Sequence, residues 1–240
     1  MENISKTHQW IETEDGSKTL YSPLFDENCH STSGAISETK HTYLDANRVA
    51  ERLKLKKKLK ILEIGLGTGI GLDTTLQFAT PQEGEFLHYV AVEIDPFMIE
   101  NFRPSTIENF KWQKNYHFQN STIALTVLFG DARKTLKQFL LEHPEFKFDV
   151  IYQDAFSPKK NPTLWTQQWF ELLGSLSHAE TSMSTYSSTK RVQKAMQLAG
   201  WGVHPIKGHP PKKWSTLAYW KQESSPELSS QLQSVEAFTD

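Results

Sequence analysis

The chain has almost no cysteine: Cys29 is the only one in 240 residues. That excludes an internal disulfide framework and a zinc site built from several thiolates. Charge of one sign is lacking too. Lys and Arg number 26 against 28 Asp and Glu, for a formal net charge of −2, so any polyanion-binding surface must be a local patch. No apolar run approaches the roughly 20 residues that cross a bilayer. The opening MENISKTHQWIETEDG has no apolar stretch of a secretory leader. A cytoplasmic protein without membrane contact is expected. The nine His show no metal-ligand spacing, so no metal is expected. No internal repeat is visible.

Hydrophobic residues make up 38 %, with seven Trp and fourteen Phe, enough for the core of one large α/β domain. LKILEI, HYVAVEI, IALTVLFGD and FKFDVIYQD are short apolar runs suited to buried parallel strands. Helical segments separate them: residues 72–79, a turn opened by Pro96, and ARKTLKQFLLEH up to Pro144. Further on, TLWTQQWFELLGSL reads as one helix with Leu164, Trp165, Trp169, Leu172 and Leu173 as its apolar set. TSMSTYS is a weaker strand. TKRVQKAMQLAG carries Val192, Ala195, Met196 and Ala199 on one helical face, with Gly200 as the stop. WGVHPIKG and STLAYW read as two closing strands. The alternation predicts a doubly wound, mostly parallel, seven-stranded α/β sheet of the Rossmann-like kind. Residues 1–44 form a polar N-terminal segment without clean periodicity. Residues 45–222 form the sheet domain, opening with a helix over 45–57. Residues 223–240, rich in Ser, Gln and Glu, read as a disordered tail.

Ligands of such sheets bind at the carboxyl ends of the strands. ILEIGLGTGIGLDTT, residues 61–75, places Glu63 and then Gly65, Gly67, Gly69 and Gly71 at the end of the first of these. No register gives G-x-G-x-x-G, because the third glycine position falls on Ile70, and the phosphate loop ending in Gly-Lys-Ser/Thr is absent. An acid precedes the turn and no basic residue adjoins it, which suits a cationic or neutral group better than a polyphosphate. The next two strands end in Glu93 and in Gly130-Asp131-Ala132.

The pattern E-x-G-x-G-x-G resembles motif I of the class I S-adenosylmethionine-dependent methyltransferases. That resemblance implies S-adenosylmethionine as cofactor, with S-adenosylhomocysteine as product. It implies backbone approach at Gly65, Gly67 and Gly69, ribose hydroxyls on Glu93, and the adenine amino group on Asp131, beside Ala132. Aminopropyltransferases of the spermidine synthase type share some of these features. Their motif I reads G-G-G-D-G-G, however, and their fourth strand leads to a different loop.

The fourth strand is the most specific segment. In FDVIYQDAFSPKKNPTLWTQQWF, Asp154 stands at the carboxyl end, followed by Phe156, Pro158, Lys159, Lys160, Asn161, Pro162 and Trp165. The lysines offer phosphate contacts, and Phe156 or Trp165 offers a ring to stack on a base. The segment resembles D-G-F-A-P-x-K-N-P-x-x-W of the methyltransferase domain of the bacterial tRNA 5-methylaminomethyl-2-thiouridine biosynthesis enzymes, with Ala155 where the family has Gly. Phe25-Asp26 and Glu38-Thr39-Lys40 match that family's N-terminal segment, and the resemblance spans about residues 20–220. It implies that residues 1–44 cover the site and that Glu38, Thr39 and Glu63 join the cofactor set. Phe156, Pro158, Lys159, Lys160, Asn161 and Trp165 would meet the substrate. The family's FAD-dependent oxidase domain has no counterpart in the sequence, so the expectation is a stand-alone methyltransferase supplied with its substrate by a separate enzyme.

The implied reaction is methyl transfer to the amine of 5-aminomethyl-(2-thio)uridine at the tRNA wobble position. It needs alignment and an unprotonated nucleophile. Asp154 is the expected catalytic base, with a helix cap as its alternative role. Basic patches for tRNA are Lys54–Lys60, Lys159 with Lys160, Lys190 with Arg191, and Lys207, Lys212 and Lys213. The competing readings are an aminopropyltransferase or small-molecule methyltransferase, and a non-catalytic S-adenosyl- or RNA-binding module.

Overall fold

The computed structural model describes residues 7–240; residues 1–6 of the expected N-terminal segment lie outside them. The segment begins with β1 (Gln9–Glu12), β2 (Lys18–Ser22) and β3 (Glu27–Asn28), an antiparallel three-stranded sheet where the sequence suggested only loop. Helix α1 (Ala35–Thr39) runs into a π-helical turn, Lys40–Asp45. Left-handed Arg48 breaks the chain there, so the next helix, α2 (Val49–Lys56), starts later than its composition suggests.

The main domain then alternates as expected: β4 (Lys58–Ile64), α3 (Ile70–Phe78), β5 (Phe86–Glu93) and α4 (Pro96–Asn101). The short β6 (His117–Gln119) precedes β7 (Ile123–Phe129), α5 (Ala132–Glu142) and β8 (Phe148–Gln153). Next come α6 (Gln167–Ser175), β9 (Ser177–Thr185), α7 (Lys190–Leu198), β10 (Trp201–Lys207) and β11 (Trp214–Trp220). Local chemistry sets several helix starts. Asp95 accepts from Phe97 N with Pro96 behind it, Asp131 accepts from the amides of Arg133 and Lys134, and Thr166 accepts from Trp169 N. The Thr166 cap divides the expected helix over 163–176 into a 3-10 turn, Pro162–Leu164, and α6.

Eight strands form the large sheet in the order β10-β11-β9-β8-β4-β5-β7-β6. Seven of them are those the sequence suggested. The eighth, β6, pairs antiparallel with β7 at the edge and is too short, at three residues, to show a pattern. β8 and β5 flank β4 in parallel, and the connections leave β4 in opposite directions on its two sides. The carboxyl ends of β4 and β8 are therefore the topological switch point where such sheets open a crevice.

The central strands alternate between two cores. Leu62 and Ile64 pack with α5, α6 and α7 through Leu136, Phe139, Trp169, Phe170, Leu173, Val192 and Met196. Leu59 and Ile61 pack on the opposite face with Tyr43, Leu53, Leu72, Leu76, Ile99 and Phe102. Burial on both faces explains why these strands read as continuous apolar runs.

The expected disordered tail is a correction. A further helix, α8 (Pro226–Gln231), buries Leu228, Leu232 is also buried, and Val235 and Phe238 pack against the first core. Gln167 N donates to Phe238 O at 2.8 Å, and Asp240 pairs with Arg133. The polar composition hid this because widely spaced apolar side chains suffice where a groove already exists.

Candidate active site

Two cavities open at the switch point. The first, of ≈ 850 Å³, lies over the ends of β4, β5 and β7. Its walls include Ile64, Val92, Ile94, Met98, Ala132 and Leu164, and its acidic groups are the carboxylates of Glu93, Asp131 and Asp154. No Lys or Arg lines it, so it favours a cationic or neutral ligand over a phosphate.

Gly65 has φ +93°, and a Cβ there would stand 2.9 Å from Asp154 O. The β4 turn and the β8 end therefore approach as closely as only glycine permits. Gly67 N donates to Glu93 Oε2 at 2.8 Å, while Ile94 N and Asp95 N donate to Oε1, each at 2.8 Å. Burial pushes the Glu93 carboxyl up, against the pull of these amides. Asp131 uses Oδ1 on its helix cap and stands exposed at the cavity edge.

The second cavity, of ≈ 870 Å³, is polar and lies between β8 and the N-terminal segment. Glu38, Tyr43, Asp154, Tyr186 and Lys212 line it. The two cavities share Cys29, His30, Asp154, Ala155 and Phe156. Asp154 Oδ1 accepts from Tyr43 OH at 2.6 Å, and its Oδ2 lies 3.8 Å from His30 Nδ1. The carboxylate thus caps no helix. Burial raises the Asp154 pKa to about 8; the Tyr43 hydrogen bond opposes this, Glu38 adds to it and Lys212 opposes it. Burial likewise lowers His30 to about 4, so its ring is neutral, and its Nε2 has no partner among the described residues. Lys212 Nζ donates to Glu38 Oε1 at 2.6 Å and sits 4.2 Å above the Tyr186 ring.

The N-terminal segment is stapled across this mouth. Phe25 stacks on Phe156 at 4.3 Å, Lys160 pairs with Asp26 at 2.8 Å, and Glu27 accepts from Ser157 N at 3.0 Å.

Several of the expected site residues stand outside the glycine-turn cavity. Trp165 is fully buried, donates Nε1–H to Phe156 O at 2.8 Å and packs edge-on to Tyr186. It anchors the loop and offers no face to a base. Glu63 lies behind the glycine turn, its carboxylate pressed on Gly71, and lines neither cavity. Burial holds its pKa well above the usual range. Gly69 also lines neither cavity; with φ +86° it opens α3, and a Cβ there would strike the Phe102 ring. Glu38 and Thr39 line the polar cavity, not the one with the glycine turn. Pro158 and Lys159 line neither cavity, and Lys159 is exposed.

Phe156 and Asn161 do line the first cavity, with Gly65, Gly67, Glu93, Asp131, Ala132 and Asp154. The basic run 54–60 leads into the amino end of β4, across the sheet from both cavities. There Lys56 pairs with Asp149 and Glu180, and Lys57 with Glu85. His30, Tyr43 and Tyr186 escaped sequence reasoning. Each stands in unremarkable local sequence and meets Asp154 only through the fold.

A doubly wound sheet with a glycine turn, strand-end carboxylates and a second chamber is the architecture of a Rossmann-like transferase. The profile of a family described as S-adenosyl-L-methionine-dependent methyltransferase matches residues 97–221, and the chain belongs to that family. Among curated relatives it is similar to the tRNA 5-methylaminomethyl-2-thiouridine biosynthesis bifunctional protein MnmC of Azoarcus sp. (strain BH72). Identity is 31 % over 216 residues, 81 % of this chain and 33 % of the relative. The Burkholderia thailandensis protein of that name is 31 % identical over 222 residues, 83 % of this chain and 33 % of its own length. The chain spans about a third of the length of these relatives. Among solved structures it resembles MNMC2 from Aquifex aeolicus, with TM-score 0.78 and 27 % identity over 96 % of this chain and 77 % of that one. No helix among the described residues is long and apolar enough to cross a membrane, and they contain no group of three or more His, Cys, Asp or Glu placed to hold a metal.

Proposed function

We propose that the chain methylates the amine of 5-aminomethyl-(2-thio)uridine at the wobble position of tRNA. The observation that carries this reading is the wall common to the two cavities. Asp154, Cys29, His30, Ala155 and Phe156 face both, so a donor in one chamber and an acceptor in the other meet beside a buried carboxylate.

The glycine-turn cavity suits the cofactor. Gly65 and Gly67 allow backbone approach, the apolar walls suit an adenine, and carboxylates without lysine or arginine suit a cationic ligand. Glu93 uses three lone-pair positions on amides, of about four that a carboxylate has. The remaining one, on Oε2, is assigned to a ribose hydroxyl, one bond where the resemblance implied two. Asp131 Oδ2 is assigned to the adenine amino group. When bound, the cofactor supplies a methyl group on a cationic sulfur.

The chain must hold the amine and take its proton. Tyr43 occupies Asp154 Oδ1 and leaves Oδ2 for the amine. A carboxyl poised near pH 8 is matched to accepting and releasing a proton at neutral pH. A polyamine acceptor is disfavoured because Glu27 is committed to Ser157 N and Glu38 to Lys212. Another activity must supply the aminomethyl group.

The test is single-turnover transfer of labelled methyl from S-adenosylmethionine to bulk tRNA lacking the final modification, with nucleoside analysis. Label in the methylaminomethyl nucleoside supports the reading. Transfer only to small amines or polyamines overturns it.

A further inference from the structure

From Thr181 to Gln222 the chain contains no Asp or Glu but seven Lys and Arg. In a protein of net charge −2 this concentrates positive charge on the stretch from the second half of β9 to the end of β11. Topology places part of it at the site. β10 runs parallel to β8 and β9, since each pairs antiparallel with β11 or parallel with its neighbour. The carboxyl end of β10 and the start of β11 therefore lie on the same sheet edge as Asp154.

The loop between them, residues 208–213, sends Lys212 into the polar cavity. At its far end Trp214 is 49 % exposed, an unusual state for the largest apolar side chain. Lys207 is its ladder partner, and both Lys207 and Lys213 are exposed. Lys213 Nζ lies 5.8 Å from the indole. The loop's base is held rigidly, because His41 bonds Lys207 O at 2.8 Å and Gly208 N donates to Lys213 O at 3.0 Å. An exposed indole flanked by lysines on a stiff support matches how proteins hold unpaired nucleotides: the ring stacks a base and the ammonium groups take adjacent phosphates.

We propose that Trp214, with Lys207 and Lys213, is a stacking platform for an unpaired base of the RNA next to the nucleotide that enters the polar cavity. This rests on the RNA reading above and adds the surface that would hold the neighbouring strand.

The test uses the full chain and a synthetic anticodon stem-loop RNA bearing the aminomethyl-uridine, with affinity measured across a salt series. Trp214→Ala should weaken binding by about five- to a hundredfold, the range found when a base-stacking ring is removed, and leave the salt slope unchanged. Trp214→Phe should keep most of the affinity. Lys207→Gln and Lys213→Gln should each flatten the slope of log K against log salt by about 0.7 for every phosphate no longer neutralised. S-adenosylhomocysteine affinity should not change in any variant, which also shows that each is folded. Unaltered RNA affinity in Trp214→Ala overturns the platform while leaving RNA as the substrate. A wild-type chain that does not bind the RNA overturns both. Unaltered RNA affinity together with a changed sedimentation of the free protein would make the indole a protein contact and overturn the platform.

Discussion

The two chambers share a wall but are built differently. The glycine-turn cavity is made mainly from the ends of β4, β5, β7 and β8, and each contribution follows directly on an apolar run. The polar cavity draws on Glu38, Tyr43, Asp154, Tyr186 and Lys212, five positions scattered over most of the chain. A parallel sheet delivers successive strand ends to one edge whatever the surface sequence, so the first chamber is a general product of the fold. The second exists only because the N-terminal segment is stapled over β8 and the β10–β11 loop reaches back to it. Donor binding should therefore be robust to changes in the polar cavity, and acceptor chemistry should be sensitive to them.

The largest test of that separation is Asp154→Asn. A positioned base contributes about 10²–10⁴ in rate, so methyl transfer at pH 7 should fall at least a hundredfold while S-adenosylhomocysteine affinity changes little. Higher pH should restore part of the rate, because solvent then deprotonates more of the amine. A near-normal single-turnover rate at pH 7 would leave Asp154 as scaffold. The same variant tests the electrostatics of the free chain. A carboxyl raised to about 8 contributes stability below its ordinary pKa and loses it as pH rises towards 8. Melting temperature of the wild type should thus fall across pH 5–8 more steeply than that of Asp154→Asn. Equal slopes would mean that the carboxyl is not raised.

Gly65→Val breaks the comparison from the other side. The new Cβ meets Asp154 O at 2.9 Å in a backbone conformation that side chains rarely adopt, a strain of about 1–3 kcal/mol. Cofactor affinity by calorimetry should drop about ten- to a hundredfold, and Asp154 should be displaced too, so both chambers fail together. A normal affinity would show that the turn can yield. Glu93→Ala should be milder and confined to the first chamber. Loss of one charged hydrogen bond, about 1.5–3 kcal/mol, weakens S-adenosylhomocysteine about tenfold or more, and unchanged affinity would remove Glu93 from the cofactor set.

The smallest effect sharpens the second chamber. Glu38 and Lys212 act on Asp154 with opposite sign, amid Tyr43, His30 and Tyr186 from other segments, with buried Glu63 behind. Lys212→Met should move the ascending limb of the pH–rate profile up, and Glu38→Gln should move it down. Shifts in the same direction would show that the pair acts through structure and not through charge.

Much of the first chamber was legible from the residues. Gly65, Gly67, Glu93, Asp131 and Asp154 stand where a strand's apolar run ends, and run length and turn chemistry are local properties. Trp165 shows the limit. Its place in a loop beside two lysines suggested a base-stacking ring, yet its indole N–H found Phe156 O and its ring found Tyr186, so a group that looked like a substrate-facing ring became core. The tail misled in the reverse sense, since Leu228 and Leu232 found a groove that composition does not reveal.

By itself the sequence determined the order of the seven main strands and the helices between them, the glycine turn and the strand-end acids, because hydrophobic period and backbone sterics act over a few residues. Only the tertiary structure decided what faces Asp154. Tyr43 lies 111 positions away in sequence, and Glu38 and Lys212 are separated by 174. Pairings over such distances follow from packed surfaces and buried charge, which take effect only after the sheet has formed.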